Sequence, residues 1–194
     1  MSEPIPAQPI TTALEWDDLV LDPATRREVD DIVAWVRHQN TLMDDWRLAK
    51  RLKPGFRILF HGPHGTGKTL AACLLGKAIG SPVYRVDLSK VVSKYIGETE
   101  KNLAALFDAA EHQRWILFFD EADALFGKRT QVRDANDRAA DLEVAYLLQK
   151  IEDYPWIVIV AGNLQGYIDD AFARRFESII LFRLPDAEQR LDEG

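Results

Sequence analysis

Hydrophobic positions along the chain alternate between helical and extended periods from Asp22 onward. Asp22 and Pro23 predict a helix start, because aspartate caps helices and proline suits the first helical position. Apolar residues at helical spacing follow in four segments, which are 29–36, 71–78, 103–110 and 144–151. A further short helix is predicted over about 44–52.

Short, largely apolar runs fall between these helices. They cover residues 56–60, 83–88, 116–119, 157–161 and 179–182. Runs of this length are typical of strands that are buried on both faces of a sheet. Five such strands separated by helices predict an α/β fold of three layers, in which a sheet of five parallel strands carries helices on both faces.

Composition narrows the class of protein. The 194 residues suffice for one domain, which we place at 13–184, after a flexible lead-in over 1–12 that contains three prolines. The net charge of -7 argues against a nucleic-acid partner, and no apolar run is long enough for a membrane span. The single cysteine, Cys73, excludes an internal disulfide and is expected to fill the core. Without a signal-peptide pattern at the start, we expect a cytoplasmic protein.

A glycine-rich loop follows the first strand and fits the G-x-x-x-x-G-K-[ST] pattern. Backbone N–H groups of such a loop surround phosphate oxygens, and the next helix points its positive end at them. Lys68 would reach the β- and γ-phosphates of ATP, and the Thr69 hydroxyl would bind Mg²⁺. The predicted nucleotide-binding residues of the loop are Gly62, Pro63, His64, Gly65, Thr66, Gly67, Lys68, Thr69 and Leu70. A plain glycine-rich turn is the alternative, and the strand–helix context argues against it.

Two carboxylates follow the apolar run at 116–119. Asp120 would reach the carboxyl edge of the sheet and hold Mg²⁺, and Glu121 would orient or deprotonate an attacking water. Acidic residues at strand ends also serve as plain caps, but the pairing with the phosphate loop favours the metal role. His61 and His64 are three residues apart, and we expect no metal site there because no carboxylate or cysteine completes one.

Three polar residues near the last two strands are further candidates for catalysis. Asn163 follows the strand at 157–161, so its amide could bond both the γ-phosphate and the water, although asparagine there is otherwise a turn residue. Arg174 and Arg175 precede the last strand and could reach the γ-phosphate of a neighbouring subunit in a ring. Two adjacent arginines otherwise form a solvated patch.

The order of these motifs, from about Trp16 to the end of the chain, resembles the AAA+ ATPases. Within them it is similar to the AAA clade that includes katanin, spastin and the proteasomal ATPases. The resemblance implies a three-layer P-loop NTPase sheet, Mg²⁺-dependent hydrolysis of ATP to ADP, and a protein substrate. It also implies a homo-oligomeric ring, taken to be a hexamer.

Two further segments carry the resemblance. Residues 16–19 resemble the segment whose backbone contacts adenine in that clade, which implies Asp18 and Val20 as adenine contacts. Residues 93–100 resemble its first pore loop, which implies that Tyr95 and Ile96 grip a translocating polypeptide. For Tyr95 a buried aromatic is the alternative.

The chain also departs from that pattern. Val20 and Leu21 stand where many relatives carry two glycines, and Gly162 stands where a threonine is usual. Residues 185–194 look like the start of the helical lid, so we expect the lid to be absent and this chain to be largely monomeric and weakly active. Residues 128–137 and 145–149 resemble standalone bacterial AAA proteins encoded with phage-tail-like contractile injection systems.

Two functions from different classes follow. The first is an ATP-driven remodeller that threads or disassembles a protein partner through a ring, and the second is a nucleotide-dependent assembly or scaffold module with little turnover. A nucleic-acid motor is disfavoured by the acidic composition, and a helicase, suggested by Asp-Glu-Ala-Asp at 120–123, would need a second similar domain. Arg129, Arg133 and Arg138 could line a ring pore or form a solvated helix face.

Overall fold

Within the described part of the chain, six strands form one sheet in the order β1-β3-β4-β5-β2-β6. The computed structural model describes residues 5–44, 54–91, 97–126, 135–166 and 168–185. The strands are β1 (Gln8–Ile10), β2 (Phe56–His61), β3 (Val83–Asp87), β4 (Ile116–Asp120), β5 (Ile157–Gly162) and β6 (Ser178–Leu181). The helices are α1 (Pro23–Asp44), α2 (Lys68–Ile79), α3 (Leu88–Val91), α4 (Glu98–Gln113), α5 (Asp123–Phe126), α6 (Ala135–Asp153) and α7 (Asp170–Ala173), with a 3-10 turn at Trp16–Asp18.

The five predicted parallel strands are confirmed as β2 to β6, and each lies within two residues of its predicted bounds. Burial explains why the apolar runs in the sequence predicted these strands. In β5, for example, every residue from Ile157 to Gly162 is buried. Such a strand packs against helices on both faces, so it contains no polar residue that could interrupt the run.

The first strand, β1, corrects the prediction of a flexible lead-in over residues 1–12. Gln8–Ile10 pairs antiparallel with β3 at the edge of the sheet, with Gln8 opposite Arg85 and Ile10 opposite Val83. Pro9 argued against a strand at the level of sequence, since proline lacks the N–H that donates to a neighbouring strand. Proline is nevertheless tolerated on an edge strand, where one side needs no partner.

The start of α1 is confirmed as a capped N-terminus that is also tied to the sheet. Asp22 Oδ1 accepts hydrogen bonds from the N–H groups of Ala24 and Thr25, each at 3.0 Å. These bonds and one from the Thr25 hydroxyl lower the pKa of the Asp22 carboxyl. The same hydroxyl lies 3.2 Å from the carbonyl oxygen of Leu181 in β6. The helix continues to Asp44, and the predicted helix over 44–52 otherwise lies outside the described residues.

The order of the strands brings together the turns that follow β2, β4 and β5, each of which contains polar residues. Strand β5 lies between β4 and β2, with Val160 opposite Phe119 and Gly162 opposite His61. The carboxyl ends of β4, β5 and β2 therefore meet at one edge, where ligands of open α/β sheets bind. Among the described residues we find no helix that is long and apolar enough to cross a membrane.

Candidate functional site

The phosphate loop leaves β2 and enters α2, as predicted. Gly62 has a φ of +151°, and a Cβ there would lie 2.1 Å from the carbonyl oxygen of Phe182. Gly67 has a φ of +92°, and a Cβ there would lie 2.4 Å from Cδ1 of Leu19. Gly62 therefore excludes a side chain by backbone conformation and by space, and Gly67 excludes one by its backbone conformation. The glycines of the pattern are needed for this loop to fit between its neighbours.

Lys68 lies at the centre of the loop and is only 8% exposed. Its Nζ donates hydrogen bonds to the carbonyl oxygens of Gly62 (2.7 Å) and Pro63 (2.6 Å). Burial lowers the pKa of this ammonium, and the charges of three nearby carboxylates, Asp120, Asp123 and Glu121, oppose that change. An ammonium has three N–H donors, so one remains for a phosphate oxygen.

The first turn of α2 and the end of β4 supply the predicted metal ligands. Thr69 follows Lys68 with an exposed side chain, and Leu70 is half-buried. The Asp120 side chain is 13% exposed at the end of β4. Hydroxyl and carboxylate oxygens are ligands that Mg²⁺ prefers, so the donor set of Thr69 and Asp120 fits that ion.

Asp120 has a partner that the sequence did not reveal. Its Oδ2 accepts two hydrogen bonds from Arg85 of β3, from Nε at 3.0 Å and from Nη2 at 2.7 Å. Its Oδ1 accepts the N–H of Glu121 at 2.9 Å. In the sequence, Arg85 stands out only as an arginine within a predicted strand. Its pairing with Asp120 becomes visible only when the register between β3 and β4 is known.

Glu121 and Asp123 correct the expectation about His64. The three side chains place one ligand atom each within 4.8 Å of one another, and His64 Nδ1 lies 4.0 Å from Glu121 Oε1. Carboxylates therefore do lie beside this histidine, because the turn after β4 faces the phosphate loop. His64 is 68% exposed, and exposed acidic groups are common without an ion, so we assign no metal to this cluster.

Gly162 brings the end of β5 against the turn after β4. A Cβ at Gly162 would lie 2.9 Å from Asp123 Oδ1 and 3.1 Å from the Asp123 backbone nitrogen. The Ala122 N–H also donates to the carbonyl oxygen of Ala161 at 3.0 Å. This close approach gives a physical reason for glycine at position 162. Asn163 follows directly with an exposed side chain, at the same edge as Asp120.

His61 binds the backbone that follows β5, and this hydrogen bond gives the residue a structural role. Its Nδ1 accepts the backbone N–H of Leu164 at 3.2 Å. Burial, and secondarily the charge of Lys68, lower the pKa of this imidazole from its ordinary value of 6.5. The folded chain therefore holds His61 in its neutral form.

We expect acid to destabilise the chain through His61. A lowered pKa means that the unfolded chain binds more protons than the folded chain, so stability falls as the pH is lowered through about 6.5 and further down. Thermal unfolding of the parent chain should show a larger decrease in Tm between pH 7.5 and 5.5 than that of His61→Asn, which keeps an acceptor but cannot gain the proton. His112→Asn, at an exposed position of α4, is the control. Equal decreases in the parent and His61→Asn would contradict this prediction.

The structure distinguishes the two predicted arginines. Arg175 donates from Nε to Glu152 Oε1 at 3.1 Å and from Nη1 to the carbonyl oxygen of Ala171 at 3.2 Å. Arg174 is exposed, and its side chain makes no hydrogen bond or ion pair within the described part of the chain. Only Arg174 is therefore free to extend from the surface without first breaking an ion pair.

The segment before β6 is held rigidly beneath these arginines. Glu177 pairs with Nε of the buried Arg57 at 3.0 Å and accepts the Arg57 backbone N–H at 2.8 Å. Phe172 and Phe176 are buried on either side of the arginine pair. The backbone that presents Arg174 is thus fixed by an ion pair and by two aromatic anchors.

The predicted adenine segment lies against the phosphate loop. The Glu15 N–H donates to Asp18 Oδ2 at 2.7 Å, and Lys77 of α2 donates to the carbonyl oxygen of Leu14 at 3.2 Å. Asp18 is exposed and Val20 half-buried beside Leu19, which contacts Gly67. The contacts of Asp18 and Val20 with adenine stay a prediction. Tyr95, Ile96, Arg129 and Arg133 lie outside the described residues, as do the side chain of Arg138 and residues 186–194.

Comparisons with known proteins agree with this geometry. Residues 58–184 match the family described as "ATPase family associated with various cellular activities (AAA)". The AAA family ATPase y4kL of Sinorhizobium fredii is 33% identical over 171 residues, which are 88% of this chain and 50% of that protein. The 26S proteasome regulatory subunit 10B homolog A of Arabidopsis thaliana is 33% identical over 148 residues, which are 73% of this chain and 37% of that protein.

A solved structure supports the same fold. The crystal structure of the FIGL-1 AAA domain matches with a TM-score of 0.70 at 23% identity, and the match covers 96% of this chain and 60% of that one. The chain spans half or less of the length of the two curated relatives. The likeness to proteins of contractile injection systems stays a prediction. A family match over more than half of the residues makes this chain a member of the AAA family of ATPases.

Proposed function

We propose that this chain binds ATP with Mg²⁺ and hydrolyses it in an oligomeric ring that remodels or threads a protein partner. One observation carries the proposal. The buried ammonium of Lys68 lies at the sheet edge where Asp120, Glu121 and Asp123 also meet, close enough for their charges to act on its pKa. Phosphoryl transfer needs a cation that binds the phosphates, a carboxylate that binds the metal and a carboxylate that activates the water.

Nucleotide binding rests on the phosphate loop. Its backbone N–H groups and the start of α2 favour phosphate oxygens, and the third N–H of Lys68 adds a charged hydrogen bond. Thr69 and Asp120 would hold Mg²⁺, which would neutralise charge on the phosphates. Asp18 and Val20, in the segment that packs on Gly67, are the proposed adenine contacts.

Hydrolysis needs a base for water and a group that orients it. Glu121 is the proposed base because its side chain is 35% exposed, unlike Asp120, whose two oxygens already accept hydrogen bonds. As the water oxygen bonds to the γ-phosphorus, Glu121 takes a water proton and the bridging oxygen leaves with ADP. Asn163 would orient the water and the γ-phosphate without adding charge.

Arg174 is the proposed contact between subunits. Its exposed, unpaired guanidinium can enter a neighbouring site, whereas Arg175 is held to Glu152 of its own chain. We expect Arg174→Ala to leave ATP affinity unchanged and to lower turnover by about 10³-fold, because the transition state loses a positive charge. Arg175→Ala is expected to lower turnover less, and it serves as the matched control.

The decisive experiment mixes Arg174→Ala with Glu121→Gln and measures steady-state ATP hydrolysis. It uses protein concentrations at which sedimentation shows mixed oligomers. Each variant alone should turn over ATP slowly, and the mixture should regain activity at interfaces that combine an intact base with an intact arginine. Mixed oligomers without activity would refute action between subunits. Nucleotide-dependent assembly of the parent without turnover would support the assembly module instead.

A further inference from the structure

The ion pair between Arg85 and Asp120 joins two strands at the proposed metal site. Asp87 of β3 is opposite Asp120 of β4, and side chains of a strand alternate between faces, so Arg85 lies on the same face as both carboxylates. Arg85 is the diagonal neighbour, and its length lets it run along the strand to Asp120. The Arg85 side chain is 40% exposed and that of Asp120 is 13% exposed.

Hydrogen bonds within the chain occupy most of the Asp120 carboxylate. A carboxylate offers about four lone-pair sites, two on each oxygen. Two N–H groups of Arg85 fill both sites of Oδ2, and the Glu121 N–H fills one site of Oδ1. With the partners that the described residues provide, one site is left for a metal ion or for a water bound to it. A carboxylate paired with a guanidinium is also a weaker ligand, since much of its charge is neutralised.

We propose that Arg85 is an internal competitor for the metal-binding carboxylate, and that it thereby sets the Mg²⁺ concentration at which nucleotide binds tightly. The inference rests on the proposed function, because it requires Asp120 to serve the metal. Arg85 acts through Asp120 and is a positioning residue. When Mg²⁺ is scarce, Arg85 holds Oδ2 of the Asp120 carboxylate and keeps the carboxylate oriented. When Mg²⁺ would bind with nucleotide, the guanidinium of Arg85 opposes it, because it neutralises part of the carboxylate charge.

A purely structural brace would behave differently. The Arg85 side chain is 40% exposed at the edge of the pair, so replacing it removes little packing and should leave the chain folded. A brace that only orients Asp120 would help the metal, and its removal would raise the Mg²⁺ requirement. A competitor opposes the metal, and its removal lowers that requirement. The two roles therefore differ in the sign of one measurement.

The test titrates Mg²⁺ into the chain with a non-hydrolysable ATP analogue and measures the Mg²⁺ concentration that gives half of the gain in affinity. Arg85→Gln and Arg85→Met should each lower that concentration by about five-fold, the factor that corresponds to the upper worth of an exposed pair. Arg85→Lys, which keeps the charge without the fork, should return it part of the way to the parent value. Arg37→Gln, at an exposed arginine of α1, is the matched control and should not change it.

The outcomes separate this inference from the proposed function. If the parent binds the analogue without any effect of Mg²⁺, or if Asp120→Asn keeps the full effect, the metal role of Asp120 is wrong. If those two chains behave as proposed while the Arg85 variants show an unchanged or raised Mg²⁺ requirement, the competitor role is overturned. A double-mutant cycle of Arg85→Met and Asp120→Asn, read by thermal unfolding without nucleotide or Mg²⁺, gives an independent readout. Coupling there is expected, and additive effects would also overturn the inference.

Discussion

Replacing Lys68 with alanine is expected to lower the affinity for ATP by about 100-fold. The estimate follows from hydrogen bonds to a charged group, which are each worth about 1.5 to 3 kcal/mol. Lys68 is 8% exposed, so little solvent reaches this position to stabilise the phosphate charge once the ammonium is removed. Isothermal titration calorimetry with a non-hydrolysable analogue measures the change directly.

The same substitution also removes two hydrogen bonds that shape the loop, and a control must separate the effects. Lys101→Ala removes an ammonium from an exposed position of another helix, α4. It should leave ATP affinity unchanged within the error of the titration. Thermal unfolding of both variants reports any loss of fold. Equal affinities for the parent and a folded Lys68→Ala chain would remove this lysine from the proposed site.

Glu121→Gln is expected to keep nucleotide affinity and to lower turnover by about 10²- to 10⁴-fold. Glutamine has the same shape and can still bond the water, but it cannot accept the proton that the water loses. Glu121 has a φ of +56°, and both residues would bear a similar strain there, so the backbone should not change. Single-turnover hydrolysis, measured beside a binding titration, separates the chemical step from binding.

Asp123→Asn is the informative comparison for Glu121, because both carboxylates lie in the same cluster with His64. Asp123 is turned toward Gly162, and its Oδ1 is buried without a hydrogen-bond partner among the described residues. We expect a smaller loss of turnover from Asp123→Asn than from Glu121→Gln. The reverse order would assign the base to Asp123.

The sequence predicted those features of the structure that depend on residues next to one another in the chain. The glycines of the phosphate loop and the buried strand at Ile157–Gly162 are such features, because steric exclusion and burial act on consecutive residues. The carboxyl-edge location of Asp120 followed from the same logic. Strand β1 was missed because it has only three residues, one of them Pro9, and its pairing depends on a partner far along the chain.

The parts of the site that the sequence did not predict are contacts between distant segments. Arg85 and Asp120 are 35 residues apart, and their ion pair depends on the register of two strands. The different contacts of Arg174 and Arg175 depend on Glu152, at the end of α6, which pairs with Arg175. No spacing rule connects such residues, since tertiary packing alone sets the distance.

We expect the contact between Leu19 and Gly67 to couple the local opening of two segments that are distant in sequence. The Leu19 methyl group fills the space that any side chain at position 67 would need, so the segment before α1 covers the backbone of the phosphate loop. If the loop opens, Leu19 loses its packing surface, and if the segment detaches, the loop loses its cover. Free energy that stabilises either segment is therefore shared in part by the other.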